Sequence, residues 1–195
     1  MIRKFIIPLL SILFFSCVET GKITFVEYKK NEEKKVLKKI MIIGAGSTDT
    51  RFFLDMLTNK LTEDFKKKKI KTVYNYIGKL NKESSIKIKP ILNEGYDAFI
   101  FFNPKDTSKI NINEYQNNNS IYLPSLSNSR INYQTNSRTI LYKQSFELAM
   151  YIPKEGLNSI WEASLRITID FTNQKNYEII SKKLLSSFKQ NKLID

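Results

Sequence analysis

The chain has no histidine and only one cysteine among its 195 residues. The first absence removes Ser-His-Asp and Cys-His nucleophile designs, together with every histidine-ligated metal site. The second removes any internal disulfide, so no covalent staple holds the fold. Glycine is scarce, with six residues, and so is proline, with five. Each glycine is therefore a marked punctuation point in the chain. The apolar run at residues 5–15 is about half the roughly twenty residues that a membrane-spanning helix needs. What remains is ordinary for a globular protein: 42% hydrophobic and 12% aromatic residues. A chain of this length buries a core without staples. Lysine and arginine outnumber aspartate and glutamate by 32 to 19, a formal charge of +13. The lysines are spread along the chain and accompany abundant asparagine and isoleucine. The charge therefore reads as compositional bias, and no nucleic-acid partner is expected.

The N-terminus has its own order. Arg3 and Lys4 precede the apolar run, and Ser16 stands directly before the sole cysteine, Cys17. Charge, short apolar stretch and small residue, in that order, form a secretory leader. Residues 1–16 are read as that leader and residues 17–38 as a tether, whose charged second half has little to pack with. Residues 23–28 are apolar enough to add a short strand.

With its motif Phe14-Phe15-Ser16-Cys17, this segment resembles the bacterial lipoproteins. The resemblance implies that the Cys17 thiol receives diacylglycerol, that cleavage falls before it, and that fatty acid such as palmitate is added. Membrane lipid is then a partner through acylated Cys17. The class usually has leucine two residues before the small residue; here that place holds Phe14, and Leu13 lies one further back. Val18 stands where an aspartate often marks inner-membrane retention. By that rule the outer membrane is favoured, on its periplasmic or its surface face.

From residue 39 to 195 the pattern predicts one α/β domain. Residues 40–43 are a continuous apolar run, as in a strand buried on both faces. Residues 49–69 carry Phe53, Leu57, Leu61 and Phe65 at steps of four, the stripe of an amphipathic helix. Residues 72–77 and 97–102 are further strands, with a short helical turn near 90–94. This is a βαβ arrangement with parallel neighbours. Residues 104–137 are Asn- and Ser-rich and read as a long loop; the readings are a functional loop, a disordered segment or a peripheral hairpin. Residues 139–152 and 159–171 alternate and form a late antiparallel hairpin on a mixed sheet. Residues 174–192 have Tyr177, Ile180, Leu184 and Phe188 in helical spacing, which predicts a terminal helix packed on the sheet. Trp161 is expected beneath that helix.

Two constellations bear on chemistry. Gly44, Gly46, Ser47, Thr48 and Arg51 lie where a strand turns into a helix, and such a turn offers amide donors to an anion. The dinucleotide fingerprint lacks its third glycine, since Asp49 stands there, and the Walker loop lacks its Gly-Lys-Ser/Thr. Asp97, Asp106, Glu147, Glu162 and Asp170 are carboxylates on or near strands, with no motif to join them. No catalytic residue, metal or cofactor is expected. The pattern of the domain is similar to small α/β domains of envelope lipoproteins, such as activators of penicillin-binding proteins and curli-secretion components. That resemblance implies a non-enzymatic binding or assembly module with a protein partner in the envelope. The alternative is a carrier for an anionic or amphipathic small ligand, whose pocket would draw on Tyr74, Tyr76, Phe99 and Phe101.

Overall fold

The computed structural model describes residues 22–80, 95–122, 130–156 and 158–195. Cys17, the leader and the turn expected near 90–94 lie outside the described residues. The strands are β1 (Lys22–Lys29), β2 (Lys39–Gly44), β3 (Lys71–Tyr76), β4 (Ala98–Pro104), β5 (Lys109–Tyr122), β6 (Arg130–Tyr151) and β7 (Ser159–Asp170). The helices are α1 (Thr48–Lys67), between β2 and β3, and α2 (Gln174–Gln190), after β7. The fold is a mixed α/β domain. Its sheet runs β1-β7-β6-β4-β2-β3, with β5 paired to β6 outside that path. β2 lies parallel between β3 and β4, and the other pairings are antiparallel.

Strand register sorts the residues onto two faces, because successive side chains alternate. Ile100 is level with Ile42 on one side and Met150 on the other, and Met150 with Trp161. This row and its neighbours form the face that buries Phe53, Leu57, Leu61 and Phe65 of α1 and Tyr177, Ile180, Leu184 and Phe188 of α2. Each such side chain, taken fully from water, contributes about 1.5–3 kcal/mol. Both helices therefore cover the same face. Trp161 packs beneath α2 as the sequence predicts: its indole N–H donates to Ser187 Oγ at 3.1 Å, and Phe188 meets it edge-on.

Local chemistry sets the helix ends. Ser47 Oγ accepts from the Thr50 amide at 3.4 Å, and Lys66 and Lys67 fill the last turn, where cations suit the macrodipole. Asn173 caps α2 through the Lys175 amide. The helices are joined by a polar clasp. Burial pushes the Asp64 carboxyl up, but hydrogen bonds from Lys67, Ser181 and Lys60 more than offset this and hold it below its ordinary range.

Two segments differ from the sequence reading. The expected tether is already structured from Lys22. β1 pairs with β7, and the charged stretch after it is fastened by backbone and amide hydrogen bonds, which need no apolar surface. Asn31 Nδ2 donates to Asn191 O at 2.9 Å, the Lys35 amide donates to Lys192 O at 2.9 Å, and Leu37 is buried. The expected loop at 104–137 is, where described, a hairpin. β5 pairs with the first part of β6 from Lys109↔Lys143 to Tyr122↔Arg130. Its ladder rests on backbone pairing, which asparagine and serine do not prevent, and it matches the peripheral hairpin among the sequence readings.

Three tyrosines on the helix-covered side give the fold an alkaline limit. Burial pushes the hydroxyls of Tyr74, Tyr142 and Tyr177 upward from their ordinary value of 10.0, that of Tyr177 to about 12. Below pH 10 both folded and unfolded chains keep these protons, and pH has no leverage through them. As pH rises from 10 towards 12 the unfolded chain releases protons that the folded chain holds, so stability falls. Circular dichroism melts at stepped pH are expected to show the melting temperature dropping above pH 10. Tyr177→Phe should blunt that drop.

Candidate functional site

The sheet face opposite the helices carries a groove of about 740 Å³. Its floor follows from register. Phe101 is level with Ala149, and Ala149 with Glu162; Phe99 is level with Tyr151, and Asn103 with Glu147. All of these side chains point away from the helices. Ala149 is the small residue at the centre, and the larger side chains around it form the walls. Tyr28 of β1 closes one side, and Pro153 and Gly156 lie at one end. Phe101 meets Tyr151 edge-to-face at 5.5 Å.

The groove is apolar in part and acidic in part. Glu147 takes an ion pair from Lys105, whose ammonium is thereby held charged to a higher pH than usual. Glu162 accepts from Ser159, whose hydroxyl oxygen in turn accepts from Lys29 Nζ at 3.1 Å. Partial burial, and then the charges of Glu147 and Glu162, push the Tyr28 hydroxyl up. Burial and then Glu162 do the same to Tyr151. Both phenols are neutral donors at physiological pH. The arrangement offers aromatic faces, two carboxylates and two hydroxyls to one bound group.

Of the aromatics expected in a pocket, Phe99 and Phe101 line this groove. Tyr74 and Tyr76 do not, because Ile42↔Tyr74 and Gly44↔Tyr76 place them on the helix-covered face. Glu147 and Glu162, unconnected in sequence, are brought together by the β6–β7 register. The other carboxylates hold the backbone. Asp97 accepts from the Lys38 and Lys39 amides at 2.7 and 2.8 Å, Asp106 from the Ser145 amide, and Asp170 from the Thr172 amide.

The turn after β2 gathers Gly44, Gly46, Ser47, Thr48 and Arg51 at one corner, beside a smaller cleft of about 390 Å³. Gly46 has φ +135, and a Cβ there would lie 2.7 Å from Thr50 Cγ2, so only glycine fits. Several donors of the turn are taken within the chain. The Ala45 amide donates to Phe102 O, the Gly46 amide to Gly78 O, and the Thr50 amide to Ser47 Oγ. Ser47 Oγ lies 3.1 Å from Ser108 Oγ, and Thr50 Oγ1 donates to Gln144 Oε1 at 2.9 Å. The Arg51 head lies over the Tyr76 ring and 3.7 Å from Asp55. This network ties the start of α1 to β6 and to the segment between β4 and β5.

No protein-family model matches the chain, and no curated protein matches it. Among solved structures, a PelC dodecamer from Paraburkholderia phytofirmans aligns over 86% of this chain and 96% of its own, at 8% identity and a TM-score of 0.42. A PDZ domain protein from Parabacteroides distasonis aligns over 82% of this chain and 34% of its own, at 9% identity and a TM-score of 0.30. Likenesses this distant assign neither a family nor a function. Among the described residues, no helix is long and apolar enough to cross a membrane.

Proposed function

We propose that this chain is a lipid-anchored envelope protein that binds rather than catalyses, with its partner seated in the groove on the sheet face opposite α1 and α2. The leader and the lone Cys17 support the anchor, and the outer membrane is the favoured site. The observation that carries the binding role is the groove itself. One face of the sheet is packed by both helices. The other keeps Phe99, Phe101, Tyr28 and Tyr151 around a central Ala149, with Glu147 and Glu162 beside them. Aromatic walls with a few fixed polar groups are what a binding site requires.

A second reading has one observation in its favour. The groove's volume lies within the range of about 300–1,000 Å³ typical of small-molecule sites. A carrier would take an amphipathic ligand whose polar end is neutral or cationic. Glu147 is paired with Lys105 and Glu162 is linked through Ser159 to Lys29, so among the described residues no cation of the groove is left over for an anion.

The test places a photo-crosslinking residue at Tyr28, which is 53% exposed, and a control at Lys183 on the helix side. Irradiation in living cells is expected to give an adduct at Tyr28 alone. An adduct of protein mass supports an assembly module, and one of small-molecule mass a carrier. Ala149→Trp, which fills the groove floor, should abolish either. Equal adducts at both positions, or an adduct that survives Ala149→Trp, would refute the groove as the site.

A further inference from the structure

The long hairpin and the anchor leave the sheet at the same end. β7 stops at Asp170, level with Leu141 of β6. The Phe171 amide still donates to Ile140 O at 2.9 Å. Beyond it, among the described residues, 130–139 of β6 pair with β5 alone, so the two strands continue as a ribbon. At about 3.3 Å per residue, this stretch extends for about 33 Å. β1 begins at Lys22, level with Thr168, and Thr168 is level with Lys143. The chain therefore enters the sheet at the end from which the ribbon departs.

Chain length sets the spacing. Cys17 is five peptide steps from Lys22, a reach of at most about 18 Å. If Cys17 is held in a bilayer, that end of the sheet stands within this distance of the surface. A ribbon about twice as long, departing from the same end, has the length to reach that surface.

The sequence of the ribbon suits a lipid interface. Between Glu114 and Glu147 there is no acidic residue, while Arg130, Arg138 and Lys143 are present. At its far end Ile121 is in register with Ile131 and Tyr122 with Arg130, and Tyr133 lies two residues on. Tyrosine and arginine favour the headgroup layer, and basic residues are drawn to anionic lipid. A two-stranded ribbon has unpaired edges, so it does not cross hydrocarbon as a single copy.

We propose that the far end of the β5–β6 ribbon rests in the headgroup layer of the bilayer that holds Cys17. This inference rests on the lipid-anchor reading. The mature lipidated protein, carrying Asn132→Cys, is labelled with an environment-sensitive dye. It is then placed in vesicles of phosphatidylethanolamine and phosphatidylglycerol, with and without a nitroxide-bearing lipid. Lys154→Cys, at the opposite end of β6, is the control. Ser120→Cys, in register with Asn132, is the second ribbon position should the first variant fold poorly. An acylated Cys17 has no free thiol, so one dye per chain is expected. The ribbon dye should shift to the blue and lose most of its emission to the nitroxide lipid, while the Lys154 dye does neither. A single dye with a water-like spectrum would overturn the ribbon contact and leave the anchor standing. So would a blue-shifted dye untouched by the nitroxide, which would mean a protein surface. A second dye on the chain would mean a free Cys17 and would overturn the anchor, and this inference with it.

Discussion

Cys17→Ala is expected to abolish incorporation of labelled fatty acid and to leave residues 1–16 attached to the chain. The effect is all or none, because the thiol is the only atom in the sequence able to take the diacylglycerol. Each buried methylene contributes about 0.8 kcal/mol, and two or three acyl chains make release negligible. Without them the basic surface keeps only screened attraction to anionic headgroups, which weakens as salt is added. Intact mass gives the cleanest readout. The wild-type product should begin at Cys17 and carry the lipid, and the variant should carry neither change. Acyl label retained by the variant, or a wild-type mass equal to that of the unprocessed chain, would remove the anchor from the account.

Trp161→Ala is expected to cost about 3–5 kcal/mol, a large share of a typical domain's 5–15 kcal/mol. Trp161 is fully buried. It stacks on Phe25 of β1, meets Phe188 of α2 at 4.9 Å, and donates to Ser187 of α2. One side chain thus joins the edge strand, the sheet and the last helix. Its removal leaves a cavity that three elements would need to close together. For a chain of this length the loss corresponds to a fall in melting temperature of roughly 6–20 °C. Trp161→Phe should recover part of the loss, since it restores ring volume but not the N–H donor. An unchanged melting temperature for Trp161→Ala would mean that α2 is not held to the sheet in this way.

Much of the fold is readable from residue pattern, because most of its elements have a single periodicity. The stripe of Phe53, Leu57, Leu61 and Phe65 marks α1, and the alternation through Trp161, Ala163, Leu165 and Ile167 marks β7. Residues 40–43 announce the central parallel strand. β1 is less legible, because an edge strand buries only one row. Ile23 and Phe25 contact the core while Val26 and Tyr28 remain exposed. The β5–β6 ribbon is only partly legible. An Asn- and Ser-rich stretch without apolar alternation leaves a hairpin as one reading among several, and backbone pairing decides it. The groove is half legible. Phe99 and Phe101 are visible as aromatics, but their separation from Tyr74 and Tyr76 depends on a register in which a shift of one residue exchanges the faces. Glu147 and Glu162 lie on the two strands of the hairpin that the alternation predicts, but the register that brings them together is not set by that alternation.

The antiparallel seating of β1 has a mechanical consequence. A tug arriving through Lys22 runs along the strand, parallel to its ladder with β7. The rungs from Lys22↔Thr168 to Lys29↔Glu162 then share the load in shear instead of parting one at a time. A pull across the strand would instead peel the rungs open in turn; a pull along it loads the seam as a lap joint is loaded.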